Sequence, residues 1–277
     1  MRLGGPVFQS TSDPESWAAA VKAAGYRAAY CPLPMDAADD LCDAYRKEAQ
    51  AADIIIAEVG AWCNPLSPDP AERASALDRC KAALALAERS GANCCVNIAG
   101  SRGAKWDGPS PLDLTRETFE MIVSSVREII DAVKPTRTFY TLETMPWMYP
   151  DSVESYLDLI AAIDRSAFAV HLDPVNLICS PQRYFGNTAL IRECFAKLGA
   201  QIKSIHVKDI RLHDSLTTHL DEVRPGAGYL DYATLLHEAS RLPLDVPLML
   251  EHMQLEEYYL LAAQYIRGVA QREHLQL

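Results

Sequence analysis

The chain has 277 residues, 49% of them hydrophobic, and its 26 basic and 37 acidic side chains give a formal net charge of −11. This negative balance argues against binding of nucleic acid or of an anionic membrane through a basic face. Because the sequence has no run of 18 apolar residues and its first ten residues lack the layout of a signal peptide, we expect neither a transmembrane helix nor export.

Eight apolar segments along the chain are predicted to be buried strands, and amphipathic helical stretches lie between them. The predicted strands cover residues 3–8, 27–33, 53–61, 94–101, 138–145, 168–176, 202–210 and 247–252. The stretch after the first strand shows the expected helix signals, with Asp13 as N-cap, Pro14 at the first helical position and Gly25 at the end.

Eight strand–helix alternations without a linker or a change of composition favour one fold. They predict an α/β protein that is a single (β/α)8 TIM barrel over residues 1–277. An open doubly wound sheet is the alternative, but it gives no reason for several successive strands to share one site. In a barrel the carboxyl ends of the strands converge on one mouth, where active sites lie.

The eight cysteines show no CxxC pairing and no regular spacing, and several fall inside apolar segments. In a chain of this size without an export signal, they are typical of reduced core residues rather than of disulfides or a thiolate zinc site. The sequence therefore predicts a cytoplasmic protein. A homo-oligomer is compatible with the sequence, which does not define the oligomeric state.

Each of the last four predicted strands carries an acidic or imidazole side chain near its carboxyl end: Glu143, Asp173, His206 and Glu251. Clustered carboxylates are costly to bury unless they are paired or bind a metal. Taken singly, each residue has an ordinary alternative role in helix capping or pairing with a lysine. Three oxygen donors and one nitrogen donor suit a divalent ion with open coordination positions, with Mn²⁺ expected first and Mg²⁺ or Co²⁺ as alternatives.

The sequence resembles the xylose isomerase-like TIM barrels, in the branch of sugar phosphate isomerases and epimerases that includes the ketose 3-epimerases. The resemblance covers nearly the whole chain and is most specific in the ligand order Glu, Asp, His, Glu and in the segments HLDPVN (171–176), IHVKD (205–209) and PGAGYLDY (225–232). It implies that Glu143, Asp173, His206 and Glu251 bind one divalent ion. It also implies that Glu143 and Glu251 exchange protons next to the carbonyl of a sugar or keto-sugar, with the ion stabilising an enediolate.

Seven further residues are candidates for substrate binding: His171, Asn176, Lys208, Arg211, Glu58, Trp62 and Trp147. Strand alternation directs His171 and Lys208 toward the mouth, although core packing or a salt bridge to Glu143 or Asp173 would explain them as well. Asn176 stands where the ketose 3-epimerases commonly have a substrate-contacting histidine, and Arg211 only approximately matches their arginine. Both tryptophans can stack on a sugar or simply pack.

A phosphate on the substrate is left open by the sequence. The turn-rich loop PGAG (225–228) lies before a predicted helix and could accept a phosphate, but alone it is only a turn signal. Arg102 is a weaker candidate, more typical of a solvated loop charge.

The lead hypothesis is a divalent-metal-dependent epimerase or isomerase of a small-molecule sugar or keto-sugar. A metal-dependent lyase or dehydratase acting on a keto-sugar, a keto-cyclitol or a 3-keto glycoside is the alternative, because it needs the same carbanion. An endonuclease IV-type enzyme would need several more histidine ligands, and a non-catalytic binding barrel would not need both Glu143 and Glu251.

Overall fold

In the computed structural model, residues 1–243 and 245–277 are described. Eleven strands are present in these residues: β1 Arg2–Gly5, β2 Ala28–Ala29, β3 Ile55–Ile56, β4 Glu58–Gly60, β5 Cys94–Asn97, β6 Phe139–Glu143, β7 Phe168–Leu172, β8 Ile202–Val207, β9 Asp209–Leu212, β10 Leu220–Val223 and β11 Pro247–Leu250. The α-helices are α1 Pro14–Ala23, α2 Asp39–Ala51, α3 Pro70–Ser90, α4 Arg116–Val133, α5 Val153–Ile163, α6 Pro181–Phe185, α7 Asn187–Leu198, α8 Tyr232–Ala239 and α9 Glu256–Arg272.

Nine of the strands form one parallel sheet in the order β3-β2-β1-β11-β8-β7-β6-β5-β4. The two end strands of this order, β3 and β4, are separated in the chain only by Ala57. The sheet therefore curls into a nearly closed barrel with helices around it, which confirms the predicted TIM barrel. Strands β11, β8, β7 and β6 are direct neighbours in the sheet.

Helix boundaries follow the capping residues seen in the sequence. The side chain of Asp13 accepts a hydrogen bond from the backbone of Ser16, and Pro14 is the first residue of α1. Asp69 accepts hydrogen bonds from the backbone of Ala71 and Glu72, and satisfies the free N–H groups that begin α3. These signals place the helices so that their apolar faces cover the sheet.

The structure differs from the predicted elements in three places. The segment 39–51, which was not predicted as an element, is helix α2 and buries Cys42 and Tyr45. The predicted third strand, 53–61, is interrupted at Ala57 and forms β3 and β4. After β8 the chain leaves the barrel and forms the antiparallel hairpin of β9 and β10, which the sequence did not reveal because β10 has little apolar character.

The core is formed by the apolar side chains of the strands and by the inner faces of the helices, with Trp17, Tyr140 and Tyr156 among its largest fully buried members. All eight cysteines are free, and five of them are buried. Across residues 1–243 and 245–277, no helix combines the length and the apolar character needed to cross a membrane.

Candidate metal centre and substrate cavity

Four neighbouring strands bring four potential ligands to the carboxyl end of the barrel. Glu143 is the last residue of β6, Asp173 directly follows β7, His206 is the penultimate residue of β8, and Glu251 directly follows β11. One donor atom of each residue lies within 4.8 Å of the donor atoms of the others. Asp173 and His206 are fully buried, and Glu143 is nearly so.

The imidazole of His206 connects two groups of carboxylates. Its Nδ1 lies 3.0 Å from Glu143 Oε1 and 2.8 Å from Glu251 Oε1. Its Nε2 lies 3.0 Å from Oε1 of Glu58. Because the Nε2–H is donated to Glu58, the Nδ1 faces the group formed by Glu143, Asp173 and Glu251.

Glu58 is buried beneath this group and holds two histidines. Its Oε2 lies 2.9 Å from His171 Nε2 and accepts a hydrogen bond of 2.8 Å from Ser204 Oγ. Burial acts to raise the pKa of Glu58, but His206 and His171 outweigh it, and this pKa is lowered. An ionised carboxylate at this position fixes the orientation of the His206 ring.

Lys208 places an ammonium group between the carboxylates. Its Nζ lies 2.8 Å from Asp173 Oδ2, 2.5 Å from Glu251 Oε1 and 3.6 Å from Glu143 Oε1, and the side chain is only 2% exposed. The alternative role of Lys208, a salt bridge to Glu143 or Asp173, is therefore present with both carboxylates. A buried cation is required here because three carboxylates would otherwise repel one another.

The surrounding charges keep the two glutamates ionised. Burial acts to raise the pKa of Glu251, but His206 and Lys208 outweigh it and lower this pKa to about 2. The pKa of Glu143 is also lowered, because His206 and Lys208 outweigh burial and the neighbouring Glu251. Both carboxylates are thus available as metal ligands and as proton acceptors at neutral pH.

The donor set fits a divalent ion. Asp173 Oδ2 and Glu251 Oε1 are buried, and ion pairs hold them: both lie close to Lys208 Nζ, at 2.8 and 2.5 Å, and Glu251 Oε1 lies 2.8 Å from His206 Nδ1. A divalent ion held by these oxygens and by His206 Nδ1 would replace the ion pairs with Lys208 and the 3.0 Å contact between Nδ1 and Glu143 Oε1. The oxygen-rich set matches ions such as Mn²⁺ or Mg²⁺ better than a closed thiolate site for zinc.

A cavity of 610 Å³ opens above this centre. Glu143, Glu251 and Lys208 form part of its wall, and its sides include three tryptophans, Trp62, Trp106 and Trp147. Ligand sites of this volume commonly combine aromatic walls with a few polar groups.

Trp62 covers the metal centre from one side. Its ring stacks on His206, with 6.5 Å between the ring centroids and 28° between the ring planes. The indole of Trp62 also lies directly against the backbone of Gly60. Only glycine fits at this position, because a Cβ atom there would lie 1.9 Å from Trp62 Nε1. The chain thus folds the indole back over the carboxyl end of β4.

Asn176 lines the cavity and also supports a candidate ligand. Its Nδ2 donates hydrogen bonds to Glu143 Oε1 at 3.3 Å and to the backbone carbonyl of Thr144 at 3.0 Å. It therefore positions Glu143 in addition to facing the cavity.

Three of the residues predicted to bind substrate lie elsewhere. Glu58 and His171 are fully buried below the centre and do not line the described cavity. Arg211 is on β9, outside the cavity wall, and donates a hydrogen bond to the backbone carbonyl of Ala227. The other four, Asn176, Lys208, Trp62 and Trp147, do line it.

Sequence reasoning missed several polar cavity residues, among them Lys105, Asp107, Glu222 and His252, and the last two lie beside the centre. Glu222, on the β9–β10 hairpin, lies 3.4 Å from Lys208 Nζ. His252 follows Glu251 and lies 3.2 Å from Glu222 through Nδ1, a hydrogen bond that raises the pKa of the histidine. The position of His252 directly after a ligand was a usable signal, whereas Glu222 arrives through an unpredicted hairpin.

The fold is a TIM barrel, and a buried group of carboxylates and one histidine that could hold a metal ion lies at its mouth. Residues 18–269 match the family described as "Xylose isomerase-like TIM barrel", and the chain belongs to this family. No curated protein matches the sequence.

Solved structures share the fold at low sequence identity. The D-psicose 3-epimerase of Clostridium cellulolyticum H10 has a TM-score of 0.71 and 15% identity, and each chain is covered over 100% of its length. The probable 3-DHS dehydratase AsbF of Bacillus anthracis has a TM-score of 0.72 and 16% identity, with 98% of this chain and 99% of that chain covered. Endonuclease IV of Thermus thermophilus has a TM-score of 0.70 and 12% identity, with 98% and 100% covered.

Proposed function

We propose that the protein is a divalent-metal-dependent epimerase or isomerase of a sugar or keto-sugar, and that it works in the cytoplasm. The observation that carries this proposal is the placement of two ionised glutamates, Glu143 and Glu251, at one cavity and on one imidazole. Both contact His206 Nδ1, and both line the cavity. Free cysteines and a nearly neutral mean hydropathy are compatible with the proposed compartment.

Glu143, Asp173, His206 and Glu251 would hold the ion, for which we propose Mn²⁺. When bound, such an ion polarises a carbonyl and lowers the free energy needed to remove a proton from the adjacent carbon. Glu251 is the more suitable group to move this proton, because its side chain is more exposed than that of Glu143 and, unlike Glu143, it receives no hydrogen bond from Asn176. Glu143 would return a proton on the other side.

Asn176 and Glu58 would keep this arrangement in place. Asn176 holds Glu143 Oε1, and Glu58 holds the ring of His206. Trp62 would exclude water from the face of the histidine and offer an apolar surface to the sugar.

A lyase acting on the same kind of substrate is the second candidate, and His252 favours it. Its imidazole lines the cavity, and Nε2 lies 3.5 Å from Glu251 Oε2. A proton donor beside the proposed base could protonate an oxygen that leaves from the carbon beta to the carbanion.

Deuterium exchange distinguishes these functions. The protein is incubated in D₂O with MnCl₂ and a panel of free keto-sugars and keto-glycosides, and products are followed by proton NMR. Exchange at the carbon next to the carbonyl without loss of water supports the epimerase or isomerase, and an unsaturated product supports the lyase. Absence of exchange from the whole panel in the parent, or equal exchange in Glu251→Gln and in the surface control Glu257→Gln, contradicts the proposal.

A further inference from the structure

The cavity is larger than one sugar ring requires. A hexose has twelve non-hydrogen atoms, which would fill only about 360 Å³ even if each took roughly the 30 Å³ of a liquid water molecule. The cavity measures 610 Å³. Space for a second unit therefore remains when a single ring is bound at the metal centre.

The charges around the cavity do not suit an anionic substrate. No arginine lines it within the described residues, and its acidic side chains include Glu222 and Asp107 in addition to the two glutamates of the centre. The two lysines of the wall are already paired, Lys105 with Asp107 at 3.0 Å and Lys208 with Asp173 at 2.8 Å. Apart from the proposed ion, the wall presents four carboxylates, Glu143, Glu251, Glu222 and Asp107, against three basic side chains, Lys105, Lys208 and His252, each of which is already paired with a carboxylate.

The PGAG loop (225–228), where the sequence left a phosphate site open, is occupied by a side chain of the protein itself. The backbone N–H groups of Gly226 and Gly228 donate hydrogen bonds of 2.9 and 3.0 Å to Oδ2 of Asp209. A Cβ atom at Gly228 would lie 2.3 Å from Asp209 Oδ1, so this glycine is needed for the contact. Because the carboxylate of Asp209 takes the place of an anion, this loop is not available to a phosphate.

The arginine candidate for a phosphate is also engaged. Arg102 Nη1 lies 2.8 Å from Glu117 Oε2 and donates a second hydrogen bond to Thr118. Arg102 does not belong to the described cavity wall. The sequence left a phosphorylated substrate open because of two features, the PGAG loop and Arg102. Neither of them offers a phosphate site beside the metal centre.

Two of the tryptophans lie on neighbouring loops that contact each other at the cavity. Trp106 lies in the loop after β5 and Trp147 in the loop after β6, and both line the cavity. Trp147 Nε1 donates a hydrogen bond of 3.0 Å to the backbone carbonyl of Asp107, which joins the two loops. With its N–H engaged, Trp147 presents mainly ring carbon atoms, a surface that suits the C–H face of a sugar or an aromatic ring.

We propose that the substrate is an uncharged keto-sugar that carries a second, glycosidically linked unit, and that Trp106 and Trp147 bind this second unit. The inference rests on the proposed function for the keto-sugar at the metal centre. It adds to that function a substrate class, which excludes sugar phosphates and favours glycosides.

Three matched probes test the substrate class: D-fructose, D-fructose 6-phosphate and isomaltulose, which carries a glucosyl unit on the same O6. Their affinities for the full chain in MnCl₂ are measured by isothermal titration calorimetry. We expect isomaltulose to bind about tenfold more tightly than fructose, the gain from packing one sugar face on aromatic rings. We expect the phosphate to bind no more tightly than fructose.

Two variants test whether Trp106 and Trp147 cause the tighter binding of isomaltulose relative to fructose. The double variant Trp106→Ala/Trp147→Ala should lose the advantage of isomaltulose over fructose, whereas Phe185→Ala, which removes an exposed aromatic ring outside the cavity, should keep it. Tighter binding of the phosphate than of fructose overturns the proposal. Equal affinities for fructose and isomaltulose, or no binding of any probe at millimolar concentration, also overturn it.

Deuterium exchange on the same probes separates this inference from the proposed function. The predicted order of affinities without exchange next to the carbonyl would contradict the proposed chemistry and leave the substrate class standing. Exchange on fructose 6-phosphate in preference to isomaltulose would support the chemistry and contradict the substrate class.

Discussion

The two ends of the barrel both carry clustered charges, but they differ in burial. At the amino end, Asp53 lies 2.8 Å from Arg2 and 2.5 Å from Arg27, and its side chain is 62% exposed. At the carboxyl end, Lys208 and Asp173 lie 2.8 Å apart and are 2% and 0% exposed. Pairs of this kind contribute little to stability, because water solvates the Asp53 carboxylate almost as well as the two arginines do, although the Arg2 side chain itself is only 13% exposed.

The buried cluster at the carboxyl end differs from these pairs in the cost of removing its charges from water. Removing several carboxylates and a lysine from water carries a desolvation penalty that their mutual attraction rarely exceeds. The fold places these groups on four adjacent strands, where a core would ordinarily be apolar. The difference between the two ends teaches that charge clusters indicate a functional site when they are buried and converge from several strands, not when they are merely numerous.

The largest effect is expected from the proposed base. Glu251→Gln keeps an oxygen ligand but removes the proton acceptor, so turnover should fall by about 10²–10⁴ while part of the metal affinity survives. Steady-state kinetics and metal titration are measured on the same preparation, with Glu257→Gln as the surface control. Near-parental turnover in Glu251→Gln would exclude this residue from proton transfer.

A smaller effect is expected below the centre. Glu58→Gln removes the negative charge that holds Nε2–H of His206, so the affinity for Mn²⁺ should fall by about 10–100-fold, the usual effect of losing such a partner. Calorimetric titration measures the affinity, and Glu120→Gln on the surface of α4 is the matched control. If Glu58→Gln binds Mn²⁺ as tightly as the parent, Glu58 does not position the histidine.

The cavity wall contains residues that only contact the substrate and residues that also position a proposed catalytic group. Kinetics of variants can distinguish the two kinds. Trp147→Ala should raise KM about tenfold with a much smaller change in kcat, because it removes an aromatic surface for the sugar. Asn176→Ala should lower kcat as well, since Glu143 loses the donor that holds it. Loss of kcat at unchanged KM in Trp147→Ala would place the indole in the transition state instead.

The smallest effect is expected at the amino end of the barrel. Asp53→Asn removes the negative charge that pairs with Arg2 and Arg27 and keeps a side chain that tolerates the positive φ of 58° at this position, so the free energy of unfolding should change by less than about 1 kcal/mol. Thermal or denaturant unfolding provides the measurement. A larger loss would show that exposure is a poor guide to the contribution of a charge cluster in this protein.

Much of the barrel and its centre could be predicted because strong local signals coincide with the topology. Glu143, Asp173 and Glu251 each end an apolar segment, and parallel strands bring such ends together. Helix α2 was missed because its apolar positions are few, and Glu222 was missed because only the pairing of β9 with β10 carries it to the cavity. The roles of Glu58 and Asn176 depend on contacts across the barrel that spacing along the chain does not reveal.

The central claim is that Glu143, Asp173, His206 and Glu251 form a single divalent metal site, and metal content tests it most directly. The parent, Asp173→Asn, His206→Ala and the surface control Asp158→Asn are dialysed against MnCl₂, freed of loose ions and analysed for bound metal, with circular dichroism to confirm folding. We predict one ion per chain in the parent and the control and none in Asp173→Asn and His206→Ala. The same metal content in all four proteins would contradict the account.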